Sequence, residues 1–319
     1  MLKRNKIVLI SFADSKYVSA TERLRKETET FGFDERYFFS EKDLPRDFFK
    51  GFRPKLYRRG YGYWSWKPYL INKVLKTLQD GDIVVYSDCG NRWCDKSMGR
   101  FKNYLDMLNV NSPFVVFQQQ YLEKDWTKGN VFRYVCKDDW KKYAVTLQLW
   151  CGCFLLMKSQ VSSIMVSEWL DIALKHRDLI SDKKSVSPNM GTFQENRHDQ
   201  SVFSLLVKQL PHTEISWKEV DDLDGTWANF GNYPIQARRE HKTSRKSWLL
   251  NRVLLRPYRY LQGLYLIVFK DFYFRKKIAW TLAPIIGQFM SLFVNRGVKG
   301  VKPMFALSRM REGKRNDLD

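Results

Sequence analysis

Asp82-Ile83-Val84-Val85-Tyr86-Ser87-Asp88-Cys89-Gly90 runs a short β-branched segment into a carboxylate and a turn of small residues. A strand that ends this way presents oxygen ligands at its carboxyl end, which is where open α/β sheets bind their ligands. Just upstream, residues 66–78 place Leu70, Ile71, Val74, Leu75 and Leu78 on one helical stripe. Pro68 is tolerated near the start of that helix, and Gly81-Asp82 punctuates its end. The alternation continues in both directions. Residues 6–13 read as a buried strand ending at Asp14-Ser15, 20–30 as a helix and 36–39 as a second strand. Downstream, 101–108 reads as a helix, 113–118 as a strand, 148–157 as an apolar strand and 161–175 as a helix. Residues 185–194 hold Pro188 and Gly191 and read as a loop, and 198–210 as a helix with Val202, Phe203, Leu206, Val207 and Leu210 on one face. Strands alternating with helices predict an α/β fold, a mostly parallel sheet between helices.

The chain has 319 residues, enough for one large domain or a domain with an appendage. With 44% hydrophobic and 28% charged residues it can bury a core, which excludes a disordered or fibrous protein. Its net charge of +21 is unevenly spread. From Arg238 onward 19 basic residues face 5 acidic ones, a net +14, while the first 237 residues carry 36 against 29, a net +7. A basic tail of this kind calls for an anionic partner. The five cysteines, Cys89, Cys94, Cys136, Cys151 and Cys153, are too few for a disulfide scaffold and lack the paired spacing of a zinc site. Residues 7–10 are too short an apolar run for a secretory signal, so a reducing, cytoplasmic setting is expected.

Three segments carry chemical capacity. Arg58-Arg59-Gly60-Tyr61-Gly62-Tyr63-Trp64-Ser65-Trp66-Lys67-Pro68-Tyr69 combines cations that clamp phosphates, glycines that permit close approach, and aromatic faces that stack on bases or sugars. The strand at 82–90 supplies Ser87, Asp88 and Gly90. Gln194-Glu195-Asn196-Arg197-His198-Asp199-Gln200 opens a helix whose other face is apolar, and Asp199 in its first turn also suits the helix dipole.

Taken together, RGYGYWSWKPYLI, YSDCG and RHDQSVFSLL resemble GT-A-fold nucleotide-sugar glycosyltransferases. The pattern is that of the glycogenin and lipopolysaccharide-galactosyltransferase type, in a bacterial capsule and surface-polysaccharide group, and it covers about residues 5–240. The resemblance implies a GT-A-like fold and a nucleoside-diphosphate sugar as donor. It matches Asp88 to the first acid of an Asp-x-Asp motif, and Asp199 and Gln200 to an Asp-Gln pair lining the donor-sugar pocket. Asp199, Gln200 and Glu195 are the catalytic candidates, because an oxocarbenium-like sugar needs a carboxylate or amide nearby. Arg59, Lys67, Ser87, Gly90, Tyr63 and Trp66 join Asp88 as donor-binding candidates, with Gly152 and His198 on the acceptor side. The Asp-Gln pair points to retention of configuration. Gly90 stands where the second acid would be, so Mn²⁺ or Mg²⁺ would need Asp88 with Asp95 or His241. Otherwise Arg59 and Lys67 neutralise the diphosphate without a metal.

Residues 1–241 are thus expected to form the catalytic domain and 242–319 a basic, helical, membrane-associating tail. On a helical wheel Leu250, Leu254, Tyr258, Leu261 and Tyr265 fall within about 80°, opposite Arg252, Arg256 and Arg259, with Pro257 interrupting the helix. Residues 278–294 are uncharged but, at roughly 25 Å as a helix, are short of the ~30 Å hydrocarbon core. The expected enzyme extends a glycan or lipid-linked acceptor as a peripheral protein on the inner face of the cell membrane. Two other classes compete with it. A basic nucleic-acid-binding protein is disfavoured because no nucleic-acid-binding motif is present, and an inactive glycosyltransferase-like scaffold is kept open by Gly90.

Overall fold

The computed structural model describes residues 5–50, 59–221 and 231–237. Residues 242–319, His241 and the helices expected in that tail lie outside the described residues. The apolar runs form strands β1 (Ile7–Phe12), β2 (Glu35–Phe39), β3 (Ile83–Ser87), β5 (Phe114–Leu122), β6 (Leu147–Met157) and β7 (Thr213–Ile215). A small ribbon pairs β4 (Arg92–Trp93) with β8 (Ile235–Gln236). The main sheet has the order β2-β1-β3-β6-β5-β7. β1 pairs parallel with β2 and β3, β5 pairs parallel with β7, and β6 alone runs against its two neighbours. The fold is therefore α/β with a mainly parallel sheet, as the alternation predicts.

Helices cover both faces. Val8, Ile10, Val84, Tyr86 and Phe154 point into a core with α2 (Trp66–Leu75), α5 (Gln160–Lys175) and α6 (Asp199–Val207). Leu9, Val85, Cys153 and Leu155, one residue out of phase, pack with Leu24 of α1 (Val18–Glu27) and with Phe101 and Tyr104 of α3 (Met98–Asp106). Both faces of the central strands are thus buried, which is why they read as continuous apolar runs. Residues 122–146, unassigned from sequence, contain α4 (Gly129–Cys136) and shorter helical turns.

The direction of β6 decides what meets at the ligand-facing edge. Ser87 pairs with Cys153, so the amino-terminal half of β6 extends past the carboxyl end of β3. Asp14 after β1, Asp88 after β3, Gln119 in β5 and Trp150 in β6 consequently share one pocket.

Behind that edge, α6 is anchored by a buried carboxylate. Glu123, fully buried, accepts from Thr127 Oγ1 at 2.7 Å, Lys208 Nζ at 2.8 Å, Gln148 Nε2 at 3.1 Å and the Ser204 hydroxyl. Gln148 Oε1 then accepts from Gln200 Nε2 at 2.6 Å, and Gln200 Oε1 accepts from the Cys151 amide at 3.2 Å. Breaking a buried pair leaves its partner uncompensated. Glu123→Ala strands Lys208 and should lower stability by about 3–5 kcal/mol, measured by urea unfolding.

Candidate active site

The turn after β3 is held from several sides. The Asp88 amide donates to the Gly152 carbonyl at 2.8 Å, and Asn91 Nδ2 donates to the same carbonyl at 2.7 Å. Ser87 Oγ accepts from Trp93 Nε1 at 3.0 Å and from Asn91 Nδ2 at 3.2 Å, so it braces the turn rather than lining the pocket. Arg23 donates to the carbonyls of Cys89 and Asn91, each at 2.9 Å. Above this turn lies a cavity of about 380 Å³, lined by Asp88, Cys89, Gly90 and Asn91 together with Asp14, Lys16, Tyr17, Tyr61, Trp64, Trp66, Gln119, Trp150 and Asp221.

Asp88 Oδ1 accepts from the Tyr86 hydroxyl at 2.6 Å and lies 3.6 Å from Lys67 Nζ, which leaves Oδ2 for a ligand. The Tyr86–Asp88 contact is a consequence of strand geometry, since residues two apart share a face. Lys67 is 2% exposed. Its ammonium also meets Asp199 Oδ2 at 2.8 Å and the Cys151 carbonyl at 3.0 Å. Burial opposes the charge, but Asp199 and Asp88 outweigh it and hold the Lys67 pKa above the ordinary lysine range. Lys67 is therefore a buried bridge between two carboxylates, not a cation open to the pocket. Asp199 and Gln200 sit behind the pocket wall: Asp199 is 5% exposed, and Gln200 bonds to Cys151 and Gln148.

The aromatic wall is built on an unusual turn. Gly60, Tyr61, Gly62, Tyr63 and Trp64 all have positive φ, at 57°, 50°, 89°, 56° and 59°. The Tyr63 amide bonds the Arg59 carbonyl at 2.8 Å and the Trp64 amide the Gly60 carbonyl at 3.0 Å, completing one left-handed helical turn. Left-handed backbone costs about 1–2 kcal/mol for each non-glycine residue, so Tyr61, Tyr63 and Trp64 need support. Gly60 and Gly62 are irreplaceable on two grounds. Besides φ, a Cβ at Gly60 would sit 2.3 Å from the Trp64 ring, and one at Gly62 would sit 2.6 Å from Phe49. Trp66 Nε1 donates back to the Gly60 carbonyl at 3.0 Å, and its ring stacks on Phe12 with centroids 4.0 Å apart.

Other expected site residues cluster on the far side of this turn. Arg59 pairs with Asp182 at 2.9 Å and Glu195 at 3.6 Å, and Glu195 also pairs with Arg197 at 3.5 Å. The Tyr63 hydroxyl donates to Asp182 at 3.0 Å. None of these residues lines the pocket. His198 is buried, with Nδ1 2.7 Å from the Ile180 carbonyl and its ring on Trp64 at 5.5 Å. Burial pushes its pKa down to about 4, so it stands neutral. Gly152 serves Trp150: a Cβ there would lie 2.4 Å from the Trp150 indole, which folds over the glycine to line the pocket. Trp150 and Tyr86 were not among the candidate site residues, although Tyr86 opens the YSDCG string and Trp150 sits two residues before Gly152.

Among the described residues no group of three or more His, Cys, Asp or Glu side chains could cage a metal ion. Asp95, at the start of the turn leading into α3, does not line the pocket. No described helix is long and apolar enough to cross a membrane.

No protein-family model and no curated protein matches the chain. Several solved structures are similar to it at low identity. A glycosyltransferase involved in the glycosylation of the major capsid of PBCV-1 shares 10% identity over 76% of this chain and 95% of its own, with a TM-score of 0.43. The galactosyltransferase LgtC, solved with donor and acceptor sugar analogs, shares 12% over 75% of this chain and 87% of its own, with a TM-score of 0.39. The glycosyltransferase GlyE of Streptococcus pneumoniae shares 12% over 67% of this chain, but only 45% of its own length is spanned, with a TM-score of 0.36.

The neutral His198 sets an acid limit. Its folded pKa lies below the ordinary value of 6.5, so the unfolded chain takes up the proton first and stability falls as pH drops from 6.5 to 4. Between pH 7 and pH 4.5 this removes about 2–3 kcal/mol, and His198→Gln should lose correspondingly less over the same interval in thermal melts.

Proposed function

We propose that the chain is a glycosyltransferase that moves a sugar from a nucleoside-diphosphate sugar bound in this pocket to a glycan or lipid-linked acceptor of surface-polysaccharide synthesis. One observation carries the reading. YSDCG and RHDQ, about 110 residues apart in sequence, are joined by a single buried ammonium, with Lys67 at 3.6 Å from Asp88 and 2.8 Å from Asp199. These are the strings that resemble a nucleotide-sugar site, and the pocket in front of them offers Tyr61, Trp64 and Trp66 as stacking faces.

Each residue then has a physical task. The aromatic wall packs the nucleoside, and Asp88 Oδ2 meets the ribose or diphosphate end of the donor. The Lys67 bridge fixes the Asp88 and Asp199 carboxylates, whose negative field favours the positive charge that develops on the sugar. Among the described lining residues three carboxylates, Asp14, Asp88 and Asp221, face one lysine, Lys16, so a diphosphate needs a cation with it. Mg²⁺ that travels with a diphosphate takes only one or two protein carboxylates, and Asp88 fits that requirement. In that place Mg²⁺ or Mn²⁺ would neutralise the leaving diphosphate. His241 lies outside the described residues.

The membrane-associating role of residues 242–319 rests on their sequence: a basic face opposite an apolar one suits anionic headgroups at an acceptor's bilayer.

The donor test is a panel of nucleoside-diphosphate sugars assayed for hydrolysis and transfer. Asp88→Asn is isosteric and should fold, yet lower turnover by at least ~10²-fold. Near-normal turnover in the folded variant removes Asp88 from the mechanism. For the tail, full-length protein should co-sediment with vesicles containing anionic lipid. High salt should weaken that binding only in part, because screening leaves the apolar face in place. Complete release by salt would favour a purely electrostatic tail.

A further inference from the structure

Three non-glycine residues held left-handed in one turn require compensation from outside it. Described contacts that supply it converge on a carboxylate outside the pocket. Asp182 Oδ1 accepts from Arg59 at 2.9 Å, and its Oδ2 accepts from the Tyr63 hydroxyl at 3.0 Å. Those donors bracket the turn, since Arg59 precedes it and Tyr63 closes its helical residues. Nε2 of His198, whose ring stacks on Trp64, lies 3.7 Å from the same carboxylate. Asp182 is half exposed, but the chain beneath it is fixed. The buried Lys128 ammonium donates to the carbonyls of Asp178, Ser181 and Lys183, the last two at 3.0 and 3.2 Å. A firm base therefore carries one carboxylate that pins the turn on its outer side, while Tyr61 and Trp64 face the pocket.

We infer that Asp182 is a positioning residue for the pocket: by clamping Arg59 and Tyr63 it holds the left-handed turn so that Tyr61 and Trp64 form the wall against which a nucleoside packs. The ligand's identity rests on the function proposed above; the clamp does not. Without Asp182 the turn keeps its internal bonds and the Trp66 support but loses its outer restraint, so Tyr61 and Trp64 are held less firmly at the pocket.

Asp182→Ala in the full-length protein tests this with and without ligand. Acrylamide quenching of the protein minus that of its Trp64→Phe variant isolates Trp64, and the same difference is taken in the Asp182→Ala background. The Trp64 quenching constant should change by about twofold once the wall loosens. Uridine, guanosine, adenosine and cytidine diphosphates serve as calorimetric probes. The one that binds best should weaken about 10-fold, with donor KM raised similarly and kcat within about threefold, because uniform binding is lost and transition-state contacts are not. Tyr63→Phe with Arg59→Gln removes the same bonds from the turn's side. Its own loss should match that of Asp182→Ala, which covers the case where Asp182→Ala folds poorly, and it should add nothing in the Asp182→Ala background. Unchanged Trp64 quenching, or losses that simply add, overturns the clamp. If the unaltered protein binds none of the four diphosphates, the donor reading fails, and Trp64 quenching still decides the clamp.

Discussion

A lysine ammonium that is 2% exposed, set between Asp199 and Asp88, is the interaction on which the site depends. Removing the Asp199 carboxylate and the Lys67 ammonium from water is costly, and the cost is recovered only when geometry and hydrogen bonding are both good. Here the Cys151 carbonyl, the Tyr86 hydroxyl and the paired carboxylates supply them. Such a bridge does more than stabilise. It ties α2, the end of β3, β6 and the start of α6 to one point, so four elements from distant parts of the chain share one reference position.

The same bridge explains why the pocket is smaller in chemical variety than the sequence suggests. Lys67 and Asp199 face one another instead of the cavity, and Arg59 and Glu195 are paired on the outer side of the left-handed turn. What remains at the pocket is the well-braced Asp88 with Asp14, Asp221 and Lys16, a turn of small residues and a set of aromatic faces. This is a site that orients by shape and stacking and keeps its charges organised one layer behind.

Much of the fold was legible because buried strands need continuous apolar runs: β1, β3, β5 and β6 and helices α2, α5 and α6 fall where the runs and stripes fall. The reversed direction of β6 was not, since an apolar run buried on both faces carries no sign of its direction. Within the site, Asp88, Gly90 and Trp66, expected to bind a donor, line the pocket. Lys67 was misplaced, because nothing in WKPYLI says that the cation turns inward. Asp182 was invisible for a related reason. Its partners Arg59 and Tyr63 are about 120 residues away, and an exposed loop aspartate has no local signature.

The left-handed turn and the buried lysine are two consequences of one local choice. The Lys67 amide bonds the Trp64 carbonyl at 3.0 Å, so α2 starts directly from the last left-handed residue. A chain that reverses its hand at Trp64 and then begins a right-handed helix at Trp66 must swing its direction within two residues. That swing lets Trp66 stack on Phe12 while Lys67, its neighbour, enters the core beneath β6. Were 60–64 right-handed, the turn would continue into α2 as one longer helix, and the pocket wall and the bridge would lose their positions together. Gly60 and Gly62 make that reversal sterically possible, and Tyr61 and Trp64 give it a use at the pocket.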